Sequence, residues 1–418
     1  MRKTLGIAAA LAFLTNCGEN PSGSGGSAPE CRWPGPSAFL SDSNAVALYV
    51  DQGPQGLGNR YANGLFASVT LCEPGTANCQ TIDHMLVDTG SVGVRVLESE
   101  LALTLPQVTD ASGLVVAECS RFVYGAAWGP LRLADVQLGG ETAENLPVQT
   151  IGTRTYPLAS DCAGTPITDL QTLAANGILG VGVSVQDCGQ ACAAPTGSLL
   201  NPGRYYTCST TLSGGCKIAS VPVVQQVSNP VALFPNDNNG TIIELPCVPE
   251  GGASAVSGTL VFGIGTQANN GLGNTTVLSL DSSGFLLTAF PAGGSQYSSY
   301  LDSGSNAFYF LDAATSGLRP CAGSAEGYYC ANPTVNLDAT IIGANGTSAN
   351  IAFSVGDGSR LAASAVAFSD LAGPVPGFST HADTVDFIWG LPFFFGRNVF
   401  AAIENTSKPG GAGPYFAF

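Results

Sequence analysis

Asp88-Thr89-Gly90-Ser91 and Asp302-Ser303-Gly304-Ser305 present the same order of side-chain types twice in one chain of 418 residues. In a chain this long, two matches to Asp-[Ser/Thr]-Gly-[Ser/Thr] arise by chance on the order of once in a thousand sequences. Singly, such a tetrad is ordinary turn chemistry. Two carboxyls brought within a few ångströms of each other cannot both ionise, so they hold one proton between them. The ionised member can then take a proton from water while the protonated member gives one to a carbonyl oxygen. That pairing supports hydrolysis by acid and base without a metal or a covalent nucleophile.

The surroundings of the tetrads repeat as well. Asp88 is followed 92 residues later by Gly180, in Ile178-Leu179-Gly180, and Asp302 is followed 88 residues later by Gly390, in Ile388-Trp389-Gly390. Equal order at nearly equal spacing implies two similar lobes, each carrying one carboxyl to a common boundary. The elements that must position them are strands. From residue 45 onward the chain runs in short β-branched or aromatic stretches punctuated by Gly, Pro, Asn and Asp, without a sustained helical period.

Composition narrows the alternatives. With 14 Lys plus Arg against 30 Asp plus Glu and a formal charge of −16, no basic stripe exists to neutralise phosphates, which excludes a nucleic-acid partner. Hydrophobic residues at 45% suffice for a large core. Only His84 and His381 are available as bases, and no Gly-x-Ser-x-Gly elbow occurs, so a serine hydrolase finds no support. His84 lies four residues before Asp88, on the same strand face but too far along it for contact. His381 sits in a polar segment and reads as solvated, while Phe393, Phe394 and Phe395 read as core.

Arg2 and Lys3 precede an apolar run from Leu5 to Leu14, too short to span a bilayer and therefore expected to be a signal segment, residues 1–16. Leu14-Thr15-Asn16-Cys17 resembles a bacterial lipobox, which implies lipidation of Cys17. Gly18 after that Cys points by the same resemblance to the outer membrane. Residues 17–44 are expected to form a Gly/Ser/Pro-rich tether. Setting Cys17 aside leaves twelve of the 13 Cys, an even number suited to six disulfides in an oxidising compartment. Sequence proximity pairs Cys72 with Cys79, Cys188 with Cys192, Cys208 with Cys216 and Cys321 with Cys330. The pairing of Cys31, Cys119, Cys162 and Cys247 stays open.

Over about residues 64–418 the chain resembles the pepsin-like aspartic peptidases. The two tetrads match that family's catalytic loops, and residues 178–180 and 388–390 match the apolar-apolar-Gly segments behind them. Residues 122–125 resemble the flap, and residues 257–265 resemble the strand closing the first lobe. The resemblance implies a mainly β fold, a bilobal double β-barrel with pseudo-twofold related lobes: residues 45–270, with a Cys-rich insertion at 184–220, and residues 271–418. It implies that Asp88 and Asp302 are catalytic, that Thr89 and Ser303 lock each loop to the other, and that Ser91 and Ser305 bind the outer carboxylate oxygens. Gly90 and Gly304 are expected to permit tight turns. Tyr124 and Gly125 would close over a peptide or protein substrate, with neither metal nor cofactor, in a monomer. Arg95 stands where the family carries an aromatic that supports the flap, and Trp128 is the candidate replacement. A pepsin-fold binding or inhibitor module without turnover is the alternative reading, favoured by Arg95 and by the lack of a basic pro-segment in residues 18–58.

Overall fold

The computed structural model describes residues 31–123, 125–153, 155–209, 215–362, 365–375, 386–406 and 409–418. The expected signal segment, Cys17, Tyr124 and His381 lie outside them. Strands dominate, as the sequence pattern requires.

The first half contains β1 (Ala45–Val50), β2 (Leu65–Cys72), β3 (Cys79–Asp88), β4 (Val92–Leu97), β5 (Val115–Phe122), β6 (Gly125–Leu138), β7 (Glu141–Ile151), β8 (Pro166–Ile167), β9 (Gly177–Val181), β10 (Tyr205–Cys208) and β11 (Cys216–Ile218). Strands β2, β3, β9, β4, β7 and β6 pair in that order, and β6 pairs back to β2, so the sheet closes on itself. Closure removes the free edges that an open sheet exposes. Inside the ring lie Val69, Leu71, Val94, Val96, Val136, Val148 and Leu179, all fully buried. Gly139, with φ +61°, turns the β6–β7 hairpin in a left-handed conformation that a Cβ would oppose.

The second half contains β12 (Gly240–Leu245), β13 (Val256–Phe262), β14 (Val277–Ser279), β15 (Leu286–Phe290), β16 (Ser295–Leu301), β17 (Phe308–Phe310), β18 (Cys330–Ile342), β19 (Ser348–Asp357), β20 (Ala372–Gly373), β21 (Phe387–Trp389), β22 (Arg397–Ala402) and β23 (Tyr415–Ala417). Its barrel-like sheet runs β19-β18-β15-β16-β21-β17-β20. Aromatic rings fill it: Phe310 stacks on Phe387 at 5.0 Å, and Trp389 meets Phe353 edge-on at 5.3 Å. Phe393, Phe394 and Phe395 are buried, as expected of core residues.

A third layer joins the two. Strands β1, β13, β12, β22, β23 and β14 form a run of antiparallel neighbours drawn from the beginning, middle and end of the chain. A division at residue 270 therefore cuts through a shared sheet: β22 and β23 lie beyond it in sequence but pair into the run that holds β12 and β13. Residues 31–44 are fastened to this layer. Cys31 is bonded to Cys247, Trp33 Nε1 donates to Asn398 Oδ1 at 3.0 Å, and Ser37 N donates to Glu244 Oε1 at 3.1 Å.

All four proximity pairs of Cys are bonded as expected. The two undetermined bonds are Cys31–Cys247 and Cys119–Cys162. The Cys-rich insertion has a sheet role that its sequence does not announce. Its strand β10 pairs antiparallel with β5, with Tyr205 opposite Glu118, and widens the β5–β6 hairpin sheet.

Candidate active site

Each tetrad begins where a strand ends against the Gly segment of its own half. Strand β3 runs parallel to β9 with Asp88 opposite Gly180, and β16 runs parallel to β21, after which Asp302 N donates to Trp389 O at 3.0 Å. Gly180 and Gly390 are needed for contact. A Cβ on Gly180 would lie 2.6 Å from Val92 backbone, and one on Gly390 would lie 2.0 Å from Ala307 O. These segments pack directly against the chain leaving each tetrad.

The two loops meet and cross-lock. Thr89 N donates to Ser303 Oγ at 3.1 Å and Ser303 N donates to Thr89 Oγ1 at 3.0 Å. Each hydroxyl then reaches past the other loop, Thr89 Oγ1 to Leu301 O at 3.1 Å and Ser303 Oγ to Val87 O at 2.8 Å. The four bonds are buried and reciprocal, so displacing either loop breaks interactions of both. Gly304 lies within a tight turn closed by Ser305 N donating to Asp302 O at 3.2 Å, and neither Gly304 nor Gly90 has a left-handed backbone. Their role is close approach. A Cβ on Gly90 would stand 2.9 Å from Asp302 Cγ, and one on Gly304 would stand 2.7 Å from Asp88 Oδ1. Each glycine makes room for the opposite carboxyl.

The carboxyls are nearly buried and equivalently held. Asp88 Oδ1 accepts Gly90 N–H at 2.8 Å and Oδ2 accepts the Ser91 hydroxyl. Asp302 Oδ1 accepts Gly304 N–H at 2.9 Å and Oδ2 accepts the Ser305 hydroxyl at 2.6 Å. Burial pushes the Asp302 carboxyl well above its ordinary value, and the charge and hydrogen bond of neighbouring Asp88 push it further, against the opposing bonds from Ser305 and Gly304. The pair thus retains a proton where isolated carboxyls have lost theirs.

A cleft of about 930 Å³ runs across the pair. One wall carries Arg121, Phe122 and Val123 of the β5–β6 hairpin, and the other carries Phe285, Tyr300, Tyr309 and Tyr328. Phe122 faces Gly125 across that hairpin. Gly125 is packed rather than hinged, since a Cβ there would meet Thr165 O at 2.6 Å. Trp128 lies outside the cleft lining. It is buried with its Nε1 donating to Tyr156 O at 3.2 Å and its ring edge-on to Tyr206 at 5.0 Å.

Arg95 lines the cleft instead, 1% exposed, within strand β4. Its Nη1 donates to Val92 O at 2.7 Å, its Nε to Gln149 Oε1 at 3.1 Å, and its Nη2 to Glu118 Oε1 at 3.0 Å and Asp187 Oδ2 at 3.1 Å. The guanidinium thereby ties β4, β5, β7 and the start of the Cys-rich insertion together. Tyr205 extends the cluster, donating to Asp187 Oδ1 at 2.6 Å. Burial opposes ionisation of Glu118, but the Arg95 charge, the hydrogen bond with Asp187 and the Arg204 charge together hold that carboxyl low. Burial and then the Glu118 charge drive Asp187 the other way, well up. Glu118, Asp187 and Arg204 were not foreseen. The available signal was an arginine in an otherwise apolar strand, which requires buried partners.

A mainly β body with two barrel-like sheets, a shared layer and paired Asp loops defines the pepsin-like fold. The solved aspartic proteinase from Irpex lacteus is similar to this chain in that fold, with a TM-score of 0.51 and 14% identity over 89% of this chain and 96% of the proteinase. Residues 41–418 match the family described as "Protein of unknown function (DUF3443)", and the chain belongs to that family. No curated protein matches the chain.

Proposed function

We propose that this protein is an aspartic endopeptidase that hydrolyses peptide bonds with a water activated between Asp88 and Asp302. The observation that carries the reading is reciprocity: each carboxyl fills the space that the opposite glycine leaves open, and each loop's hydroxyl is bonded to the other loop. Burial and neighbouring Asp88 push the Asp302 carboxyl up, and the pair, sharing one proton, supplies base and acid together. A peptide enters the cleft beneath the β5–β6 hairpin, where Tyr124 closes over it and excludes water. The lipobox-like sequence ending at Cys17 supports lipidation there, and with it a location in the bacterial cell envelope, at the outer membrane.

The test is cleavage of unfolded protein by the disulfide-intact chain between pH 3 and pH 7, with and without a statine-type transition-state mimic. Cleavage that the mimic blocks supports the reading. No cleavage at any pH, together with retained peptide binding, supports instead a pepsin-fold binding module, the alternative that Arg95 at the flap-support position favours.

A further inference from the structure

The charges lining the cleft are unevenly placed. Arg95, Arg121 and Arg204 all come from the first-half wall, in a chain with only 14 Lys plus Arg, whereas the second-half wall contributes Glu326 and no cation among the described residues. The three arginines differ in what they can still bind. Arg95 is buried and commits four of its five N–H groups to the bonds already described. Arg121 is exposed, with its Nη2 donating to Asp161 O at 3.0 Å. Arg204 is one-third exposed, and its Nη1 donates to the backbone oxygen of Asp187 at 2.7 Å. Its other N–H groups have no hydrogen-bond partner among the described residues, and the Asp187 carboxylate stands 3.7 Å away.

Arg204 is also held in place. It directly precedes β10, its carbonyl accepts Cys119 N–H at 2.8 Å on the hairpin strand β5, and Cys188–Cys192 and Cys208–Cys216 staple the insertion on either side. The carboxylates beneath it are shared with Arg95, whose Nη2 is hydrogen-bonded to both Glu118 and Asp187. Burial and the Glu118 charge push the Asp187 carboxyl up, against the charges of Arg95 and Arg204.

We propose that the Cys-rich insertion is a specificity element of this cleft, in which the Arg204 guanidinium binds the side-chain carboxylate of an Asp or Glu in the bound peptide. The proposal rests on the cleft being a peptide-binding site, and it names the class of peptide. A guanidinium with unfilled N–H groups pairs with a carboxylate through parallel hydrogen bonds, which an uncharged isostere reproduces only weakly.

The experiment uses apolar decapeptides carrying a single Glu moved stepwise through the sequence, each with its Gln counterpart, at about pH 5.5, where a substrate Glu is ionised. At one or two positions the Glu peptide is cleaved with a kcat/KM on the order of tenfold above its Gln partner. Arg204→Gln brings that ratio to unity, and Arg204→Lys, which keeps the charge but not the fork, gives an intermediate ratio. Arg121→Gln leaves the ratio in place. The proposal is overturned if wild type shows no position with a Glu preference, if the preference survives Arg204→Gln, or if it is Arg121→Gln that abolishes it. Binding of the same peptides to Asp302→Asn chain, read by fluorescence anisotropy, separates this inference from the peptidase reading. If nothing is cleaved, a Glu-over-Gln affinity difference that Arg204→Gln removes upholds the specificity element while the peptidase reading fails. Equal affinities overturn the specificity element.

Discussion

Arg95 and Tyr309 occupy the same place in the two halves. Each stands seven residues after its aspartate, and each is paired across an antiparallel register with an isoleucine, Ile178 for Arg95 and Ile388 for Tyr309. Around them the strand plan repeats: β3, β9, β4 and β7 in one half correspond to β16, β21, β17 and β20 in the other, with the same parallel and antiparallel senses. Yet one side chain is a buried cation in an ionic cluster, and the other is a neutral phenol donating to Asn306 Oδ1 at 2.7 Å. The duplicated backbone presents two equivalent carboxyl loops to each other. The side chain behind each loop follows its neighbours, and only the first half has an insertion that delivers Asp187 to the site.

Breaking the symmetric part gives the largest effect. Asp88→Asn and Asp302→Asn each lower kcat on the order of 10³-fold or more, because either change removes a member of the proton-sharing pair. Stability should respond asymmetrically to the same change. Asp302 has a raised folded-state pKa, so its contribution to stability is full below the unfolded carboxylate value and is lost as pH rises through the folded one. Thermal melts should accordingly find Asp302→Asn more stable than wild type at pH 7, on the order of 1 kcal/mol, with the gain vanishing near pH 3.

Breaking the asymmetric part is next. Arg95→Met leaves Glu118 buried and uncompensated, a loss of about 3–5 kcal/mol in denaturant unfolding. Adding Glu118→Gln to Arg95→Met restores part of it, since the uncompensated charge is then gone. Tyr309→Phe, at the equivalent position, removes one neutral hydrogen bond and costs about 1 kcal/mol. A comparable loss from the two substitutions would contradict the distinction between the halves.

The smallest effect lies away from the cleft, on β3. His84 Nε2 stands 3.3 Å from Asp51 Oδ2, and the hydrogen bond to Asp51 raises the His84 pKa against the opposing effect of burial, with a further contribution from Asp83. A raised histidine stabilises below its unfolded pKa of about 6.5 and ceases to as pH rises through the folded value. His84→Gln should therefore destabilise at pH 5 more than at pH 9.

What could be read from the sequence follows from how locally it is encoded. The tetrads and their Gly segments are contiguous and occur twice, so repetition exposed the paired loops and two similar lobes, while the hydroxyl roles came with the resemblance to the pepsin-like peptidases. Four disulfides closed loops of at most nine residues and were equally legible. The ionic cluster was not, because Glu118 and Asp187 lie 23 and 92 residues from Arg95 and belong to different elements. The shared layer was also hidden, since its strands come from both ends of the chain and no local pattern states which strands become neighbours. The close approach at Gly90 and Gly304 was hidden on the same ground, because the carboxyls that a Cβ would meet belong to the opposite loop.

The central claim is one proton shared by two carboxyls, and the pH dependence of kcat/KM on a cleavable peptide tests it most directly. The account predicts a bell whose descending limb lies well above the ordinary carboxylate value near 3.8, reflecting loss of the proton held with Asp302, and no measurable bell in Asp88→Asn or Asp302→Asn. Cleavage that persists in both variants with an unchanged profile would contradict it.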